Sequence, residues 1–402
     1  MTLKEELEIL RGEPIQVFDG DPMDIPCIET SDTEKLCKHP VVSVNMITYN
    51  HEPYIREAIE GVMMQQTDFE FELIIGEDCS QDKTREICFE YQKKYPDKIR
   101  VLWWHENVSK LGGNSRRVFA RCRGEFIALC EGDDYWIDPL KLQKQVDVMR
   151  QHSDVGLCFC GAKIFRSLTG TWEVWNNGHQ GFVPGKISSL NYVVWTLFGK
   201  DSKGSPGAEF FVMTATLLFR KSLLLQARAR YEIFSWRMYI GDAIYCLGIG
   251  SLANVYYLED EVSVYRQLVT GLTLSGRGCV RAETYVVRLY FLYRIFTLSF
   301  VKTTIVFRCI LVNALIDMIQ FFDSRHQRRY IRLFFISPKT RALCLTPEMF
   351  PLTCLLSVGV LNAITITLCR RYLSWMRRNH YVSRDVQKLY DQVAQELHVV
   401  EV

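Results

Sequence analysis

The sequence predicts an α/β fold, a mainly parallel sheet flanked by helices, followed by a C-terminal helical, apolar and basic extension. Three observations carry this. Short apolar runs of strand length alternate with stretches whose apolar residues recur at helical spacing, the pattern of right-handed crossovers and parallel pairing. Two of those runs stop on carboxylates, Ile74-Ile75-Gly76-Glu77-Asp78 and Ile127-Ala128-Leu129-Cys130-Glu131-Gly132-Asp133-Asp134, so two strand ends meet at one acidic edge. Beyond Arg277 the chain turns rich in Leu, Ile, Phe and Val while basic residues outnumber acidic ones.

The elements follow in order. Residues 1–40 are polar, punctuated by Gly20-Asp21-Pro22, and read as an N-terminal extension without chemistry of its own. The main domain is expected over 41–270. It opens with the run Val41 to Ile47, ending in Thr48-Tyr49-Asn50-His51, and a helix carrying Ile55, Ile59, Val62 and Met63 follows. Phe71 to Gly76 is a second strand. Ser80 or Asp82 caps the next helix, whose inner face is Ile87, Cys88, Tyr91 and Tyr95. Ile99 to Trp103 is a third strand, and Gly112 to Arg117 opens a helix leading to the strand Phe126 to Cys130. Asp138-Pro139 reads as an N-cap with proline in the first turn, for a helix to about Gln151.

After the strand-like Val155 to Phe159 the simple alternation is lost. Thr171 to Gly207, rich in Trp, Asn and Gly, reads as loops, and Ala208–Phe219 and Leu252–Leu258 are apolar runs that complete the sheet. Between them Gly241-Asp242 opens an apolar helical stretch, where an aspartate either caps the helix or works at a site. Residues 271–402 form the third region. Met349 to Cys369 carries no charge and precedes Arg370-Arg371 and Arg377-Arg378. At about 20 residues it is long enough to span a bilayer, with a helix lying in the interface or a buried helical hairpin as the equal alternative.

Composition narrows the function classes. A chain of 402 residues suits one large domain plus an addition, and 48% hydrophobic residues with a net charge of +2 describe an ordinary folded enzyme. Fourteen cysteines form no CxxC pair, which argues against a disulfide framework or structural zinc and for a reducing compartment. The charged start Met1-Thr2-Leu3-Lys4-Glu5-Glu6-Leu7 lacks the apolar core of a secretory signal. The expected location is therefore cytoplasmic, at the cytoplasmic face of a membrane, because arginines interleaved with aliphatic runs suit a membrane surface better than nucleic acid. Clustered carboxylates at a strand end suit a divalent cation, Mg²⁺ or Mn²⁺, bound together with a diphosphate.

Four ordered blocks carry a resemblance: Val42-Ser43-Val44 with Thr48-Tyr49-Asn50-His51; Ile74 to Thr84; Arg123-Gly124-Glu125-Phe126-Ile127-Ala128-Leu129; and Glu131-Gly132-Asp133-Asp134-Tyr135-Trp136 with Lys141-Leu142. In order and spacing they resemble the inverting family 2 glycosyltransferases of the GT-A fold, densely over Val41 to Val155 and thinly to about Arg266. The resemblance implies a Rossmann-like GT-A domain and a nucleotide-diphosphosugar donor lying across the acidic edge. By motif position it implies that Tyr49 stacks on the base and Asp78 accepts from base or ribose. Asp133 and Asp134 would hold the cation, and Arg116 or Arg117 would neutralise phosphate. Asp242 falls where the family places its catalytic base.

Two departures stand out. Glu131 and Glu77 occupy positions where the family commonly has aspartate, so Glu131 reaches the metal through water or serves the acceptor instead. The basic tail implies a membrane holding a lipid-linked glycan acceptor, in surface polysaccharide or glycolipid assembly. The rival readings are a non-catalytic nucleotide-sugar-binding scaffold of the same fold and a metal-dependent phosphohydrolase.

Overall fold

The computed structural model describes residues 22–109, 113–175, 183–189, 212–235 and 241–269, with isolated positions elsewhere. The chain divides into two compact units, and the one described below comprises Val17–Val193 and Phe211–Ser275. The other gathers Met1–Gln16, Val194–Phe210 and Gly276–Val402, of which few positions are described, so the expected C-terminal region and the apolar stretch 349–369 lie outside the described residues. Among the described residues no helix is long and apolar enough to cross a membrane.

The sheet contains β1 (Ile28–Thr30), β2 (Val42–Thr48), β3 (Phe71–Glu77), β4 (Ile99–Trp103), β5 (Phe126–Leu129), β6 (Tyr135–Trp136), β7 (Val155–Arg166), β8 (Thr171–Trp175), β9 (Gly185–Ile187), β10 (Leu218–Arg220) and β11 (Asn254–Gln267). Their order is β1-β4-β3-β2-β5-β10-β7-β11-β6, with β8 on β7 and β9 on β11. The expected parallel character holds from β4 through β3 and β2 to β5. Beyond β5 the sheet is mixed: β10 is antiparallel to both neighbours, β7 and β11 run parallel, and β6 is antiparallel to β11. This is a mixed α/β sheet flanked by helices.

The helices are α1 (Ile55–Met63), α2 (Thr84–Lys94), α3 (Asn114–Arg121), α4 (Lys141–Gln151), α5 (Lys221–Arg230) and α6 (Gly241–Gly250). Alternate residues Val42, Val44 and Met46 of β2 enter one buried cluster with Ile55 and Ile59 of α1, Ile87 of α2 and Leu142 and Val146 of α4. Period 2 on the strand thus meets period 3.6 on the helices. On the α3 side a close approach requires a glycine, since a Cβ on Gly76 would lie 2.5 Å from Asn114 Oδ1. That contact sets the start of α3 directly against β3.

Polar groups fix the far edge. Buried Glu72 accepts from Arg100 Nη1 at 3.1 Å and from Arg123 Nε at 2.8 Å, and Arg100 also grips Glu29 through two bonds of 2.8 and 2.9 Å. Such forked pairs are strong and directional. They hold β1, from within the segment expected as an extension, against β4. The 171–207 stretch expected as loops contributes β8 and β9. Glu259, Asp260 and Glu261 lie inside β11, where its register against β7 shifts.

Candidate active site

The C-terminal ends of β3, β2 and β5 lie side by side, and the loops leaving them are braced on one another. Asn50 and Cys79 both take the left-handed conformation, with φ of 54° and 63°. Few side chains accept that region, asparagine more readily than most. Asn50 uses it to accept Gln81 N–H at 2.7 Å and to donate its own N–H to Ser80 Oγ at 3.0 Å. His51 N–H donates to Thr84 Oγ1 at 2.8 Å, and Glu52 N–H to Asp82 Oδ2 at 3.0 Å. From this braced loop the ring of Tyr49 projects with 43% of its surface exposed.

Asp78, by contrast, is 1% exposed. Its carboxylate accepts the backbone N–H groups of Val108 at 2.7 Å and Ser109 at 3.0 Å, so it shapes the loop after β4. Glu77 is also buried and pairs with Arg85 Nε at 2.5 Å while accepting Ser80 N–H at 2.6 Å.

The turn after β5 holds Glu131, Asp133 and Asp134 in three environments. Asp134 is 1% exposed and accepts Arg266 N–H at Oδ1, 2.8 Å away. Burial, then Asp133 and Glu131, hold its pKa well above the usual carboxylate range. Glu131 is half-buried, and its pKa is pushed up to about 8 by burial first, then by the charges of Asp133 and Asp242. Asp133 keeps a quarter of its side chain in solvent, 25%, and its Oδ2 stands 3.9 Å from His51 Nε2. Burial lowers the His51 pKa, against the opposing pull of Asp133 and Asp82.

Asp242 lies in the first turn of α6, where Oδ1 accepts Ala243 N–H at 2.9 Å and Oδ2 accepts Thr214 Oγ1 at 3.5 Å. Burial raises its pKa. Its charge adds to the raised pKa of Glu131, and Trp136 Nε1 ties the acidic turn to the same 214–216 segment by donating to Ala215 O at 2.8 Å. Of the two arginines of α3, Arg117 is fully buried and donates to Asn114 Oδ1, Glu77 O and Leu102 O, so it is spent on the strand ends. Arg116 is half-buried, with Nη1 3.5 Å from Phe234 O, and burial followed by Arg228 lowers its pKa.

A divalent cation fits these residues. Asp133 raises the pKa of both Glu131 and Asp134, and carboxylates so crowded present the hard oxygen donors and excess negative charge that Mg²⁺ or Mn²⁺ would neutralise. Among the described residues no three His, Cys, Asp or Glu side chains already converge on one point. These residues would supply part of a coordination sphere, the usual arrangement when substrate phosphates and water complete it.

Three groups at this edge had no role in the sequence reading. Arg266 donates from Nη1 to Asp133 O at 2.7 Å, pairs through Nη2 with Glu57, and stacks over Tyr135 with its guanidinium carbon 4.2 Å from the ring centroid. Thr48 and His51 close on the turn from β2, where a Cβ on Gly132 would lie 2.6 Å from Thr48 Oγ1 and 3.0 Å from His51 Nδ1. Only glycine fits there. The His51-Asp133 contact had a motif as its only sequence signal, and the Arg266-Glu57 pairing had none.

Comparison with known proteins gives a consistent picture. Residues 43–224 match the profile described as glycosyl transferase family 2. An uncharacterized Mycobacterium tuberculosis protein is 45% identical over 118 residues, covering 29% of this chain and 34% of that protein. TuaG of Bacillus subtilis, named for teichuronic acid biosynthesis, is 34% identical over 114 residues, 28% of this chain and 44% of that protein. The match thus spans about a third to under a half of these relatives' length. In structure the chain is similar to S. aureus TarS 1–349 in complex with UDP-GlcNAc, with a TM-score of 0.56 at 19% identity over 84% of this chain and 92% of that one. That likeness is one of fold, the GT-A fold.

Proposed function

Because residues 43–224 match the glycosyl transferase family 2 profile, we propose that this protein is an inverting glycosyltransferase. It moves a sugar from a nucleotide-diphosphosugar to a hydroxyl of a glycan acceptor in polysaccharide or glycolipid assembly. The observation that carries this reading is the presence of two half-buried carboxylate groups, on separate elements, within electrostatic reach of each other. Glu131 and Asp133 stand on the turn after β5, and Asp242 at the start of α6 is near enough to Glu131 to shift its titration. One side suits the departing diphosphate and the other the incoming hydroxyl, as a single displacement needs.

The exposed ring of Tyr49 offers a stacking face for the base, and the loop that Asp78 shapes walls the pocket beside it. Asp133, with Glu131 beside it, would hold the cation, which supplies charge neutralisation for the leaving diphosphate when bound. Asp134 keeps the turn attached to β11 through its bond to Arg266. Arg116, in the first turn of α3, adds a positive charge toward phosphate. Asp242 takes the acceptor proton as the new bond forms, and burial, by lifting its pKa, makes it a stronger base than a solvated carboxylate. A lipid-linked acceptor at a cytoplasmic membrane face is the setting that the basic, apolar sequence after Arg277 favours.

The test is a thermal-shift screen of nucleotide sugars with Mn²⁺ and Mg²⁺, followed by measurement of nucleoside diphosphate release with and without glycan acceptors. A donor that binds stabilises the fold by mass action. Acceptor-stimulated release is the expected result. Release indifferent to acceptor identifies a hydrolase, and binding without release identifies a scaffold.

A further inference from the structure

His51 has no part in the mechanism above, yet the structure places its ring with care. Its backbone N–H is anchored on Thr84 Oγ1 at 2.8 Å, and the ring stands edge-on to Tyr54 with centroids 6.5 Å apart. Nε2 faces Asp133 Oδ2 at 3.9 Å, too far for a hydrogen bond. Two donors sharing one cation at roughly 2.1 Å each stand between about 3 Å apart when adjacent and just over 4 Å when opposite. The observed separation falls within that range.

A second observation lies on the other side of the ring. His51 Nδ1 is buried without a hydrogen-bond partner, and so is Thr48 Oγ1, on a residue only 2% exposed. Both press on Gly132, 2.6 Å (Thr48 Oγ1) and 3.0 Å (His51 Nδ1) from where a Cβ would stand, so the turn admits the ring only because it carries no side chain there. Buried polar atoms left unmatched are costly, and neither of these two finds a partner within the protein.

We propose that His51 Nε2 joins Asp133 as a direct protein donor to the cation, and that this nitrogen-oxygen pair selects Mn²⁺ over Mg²⁺. Imidazole suits transition-metal ions, whereas Mg²⁺ prefers an all-oxygen shell. Diphosphate oxygens and water complete the sphere, which accounts for the lack of three converging protein side chains among the described residues. The inference rests on the cation role read for Asp133.

Pulsed electron paramagnetic resonance of Mn²⁺ added alone to the full chain tests it. Expected are modulations from a directly bound ¹⁴N, replaced by ¹⁵N couplings when the protein is grown with ¹⁵N-histidine, a measurement that needs no substitution. In His51→Gln the nitrogen coupling disappears, Mn²⁺ affinity falls at least ten-fold and Mg²⁺ affinity changes less than three-fold. Bound Mn²⁺ without nitrogen coupling, or with the same coupling in His51→Gln, overturns the inference while leaving the role of Asp133 standing. That role has its own readout, the loss of Mn²⁺ affinity in Asp133→Asn. Absence of Mn²⁺ binding to the wild-type chain overturns both.

Discussion

The backbone N–H of Arg266 reaches Asp134 Oδ1 at 2.8 Å across 132 residues of chain, so the last turn of β11 fixes the shape of the acidic turn after β5. This contact separates the two adjacent aspartates. Asp134→Asn keeps the acceptor oxygen, and a neutral side chain suits a position where burial already disfavours charge. Its donor and Mn²⁺ affinities are expected within about three-fold of wild type, by calorimetry. Asp133→Asn is expected to lose metal-dependent donor binding. Loss of Mn²⁺ binding in Asp134→Asn would return that residue to the metal.

Removing the clamp itself tests the same geometry. Arg266→Ala loses the bond to Asp133 O and the stacking on Tyr135. The pair with Glu57 adds little, since that carboxylate is 56% exposed. A destabilisation of about 1–3 kcal/mol in urea is expected, together with weaker donor binding. Full donor affinity at reduced stability would show that the turn keeps its shape unaided.

Asp242→Asn is expected to bind donor normally and to slow transfer by about 10²–10⁴-fold. The base works deprotonated and its pKa is raised by burial, so the acceptor-dependent rate should climb with pH through that raised pKa and then level. In Asp242→Asn the acidic limb should vanish from the pH profile. A persisting limb would assign the proton to another group.

Tyr49→Ala removes a ring that is 43% exposed and whose loss opens no cavity. Stability should change by less than about 0.5 kcal/mol. Donor affinity should fall by about 1–3 kcal/mol if the ring stacks on the base. Equal affinity in the two proteins, measured by titration with the nucleoside diphosphate, would remove the stacking role.

Lys141 gives a pH signature unrelated to catalysis. It is fully buried, with Nζ 2.8 Å from Gln145 Oε1 and 4.1 Å from the Trp136 ring centroid, and burial lowers its pKa to about 8. In the unfolded chain it titrates near 10.4. Between those values the unfolded state holds more protons, so stability rises with pH from about 8 to about 10.4, by up to roughly 3 kcal/mol. Lys141→Met should flatten that segment of the stability profile relative to wild type. Parallel profiles would show that the buried ammonium is otherwise compensated.

The parallel half of the fold was legible because its strands and helices carry clean periods. Val42, Val44 and Met46 alternate inward, and α1, α2 and α4 each bury one face against them. Asp138 was expected as the cap of α4; the helix starts at Lys141, while Asp138 Oδ1 accepts Leu140 N–H at 2.9 Å, the same chemistry one step earlier. The strand β8 was hidden because Thr171 to Val174 are all exposed, leaving no alternation to detect. The expected apolar run ended at Leu258, whereas β11 continues through Glu259 to Glu261, because its irregularity there tolerates consecutive acids. Asp78 was legible as a site acid, but not its inward turn to Val108 and Ser109, thirty residues on. Motif spacing reports which strand ends carry acids, whereas their individual orientation depends on partners distant in sequence.

The span of β11 has a practical corollary for anyone exchanging pieces between relatives. The family match closes at residue 224, ahead of both Asp242 and Arg266. A chimera joined there would pair the acidic turn of one parent with the retaining strand of the other, and its cleft would depend on whether the two parents agree on a single arginine. Transplanting Val17–Val193 together with Phe211–Ser275 keeps turn, strand and Asp242 as one heritable unit.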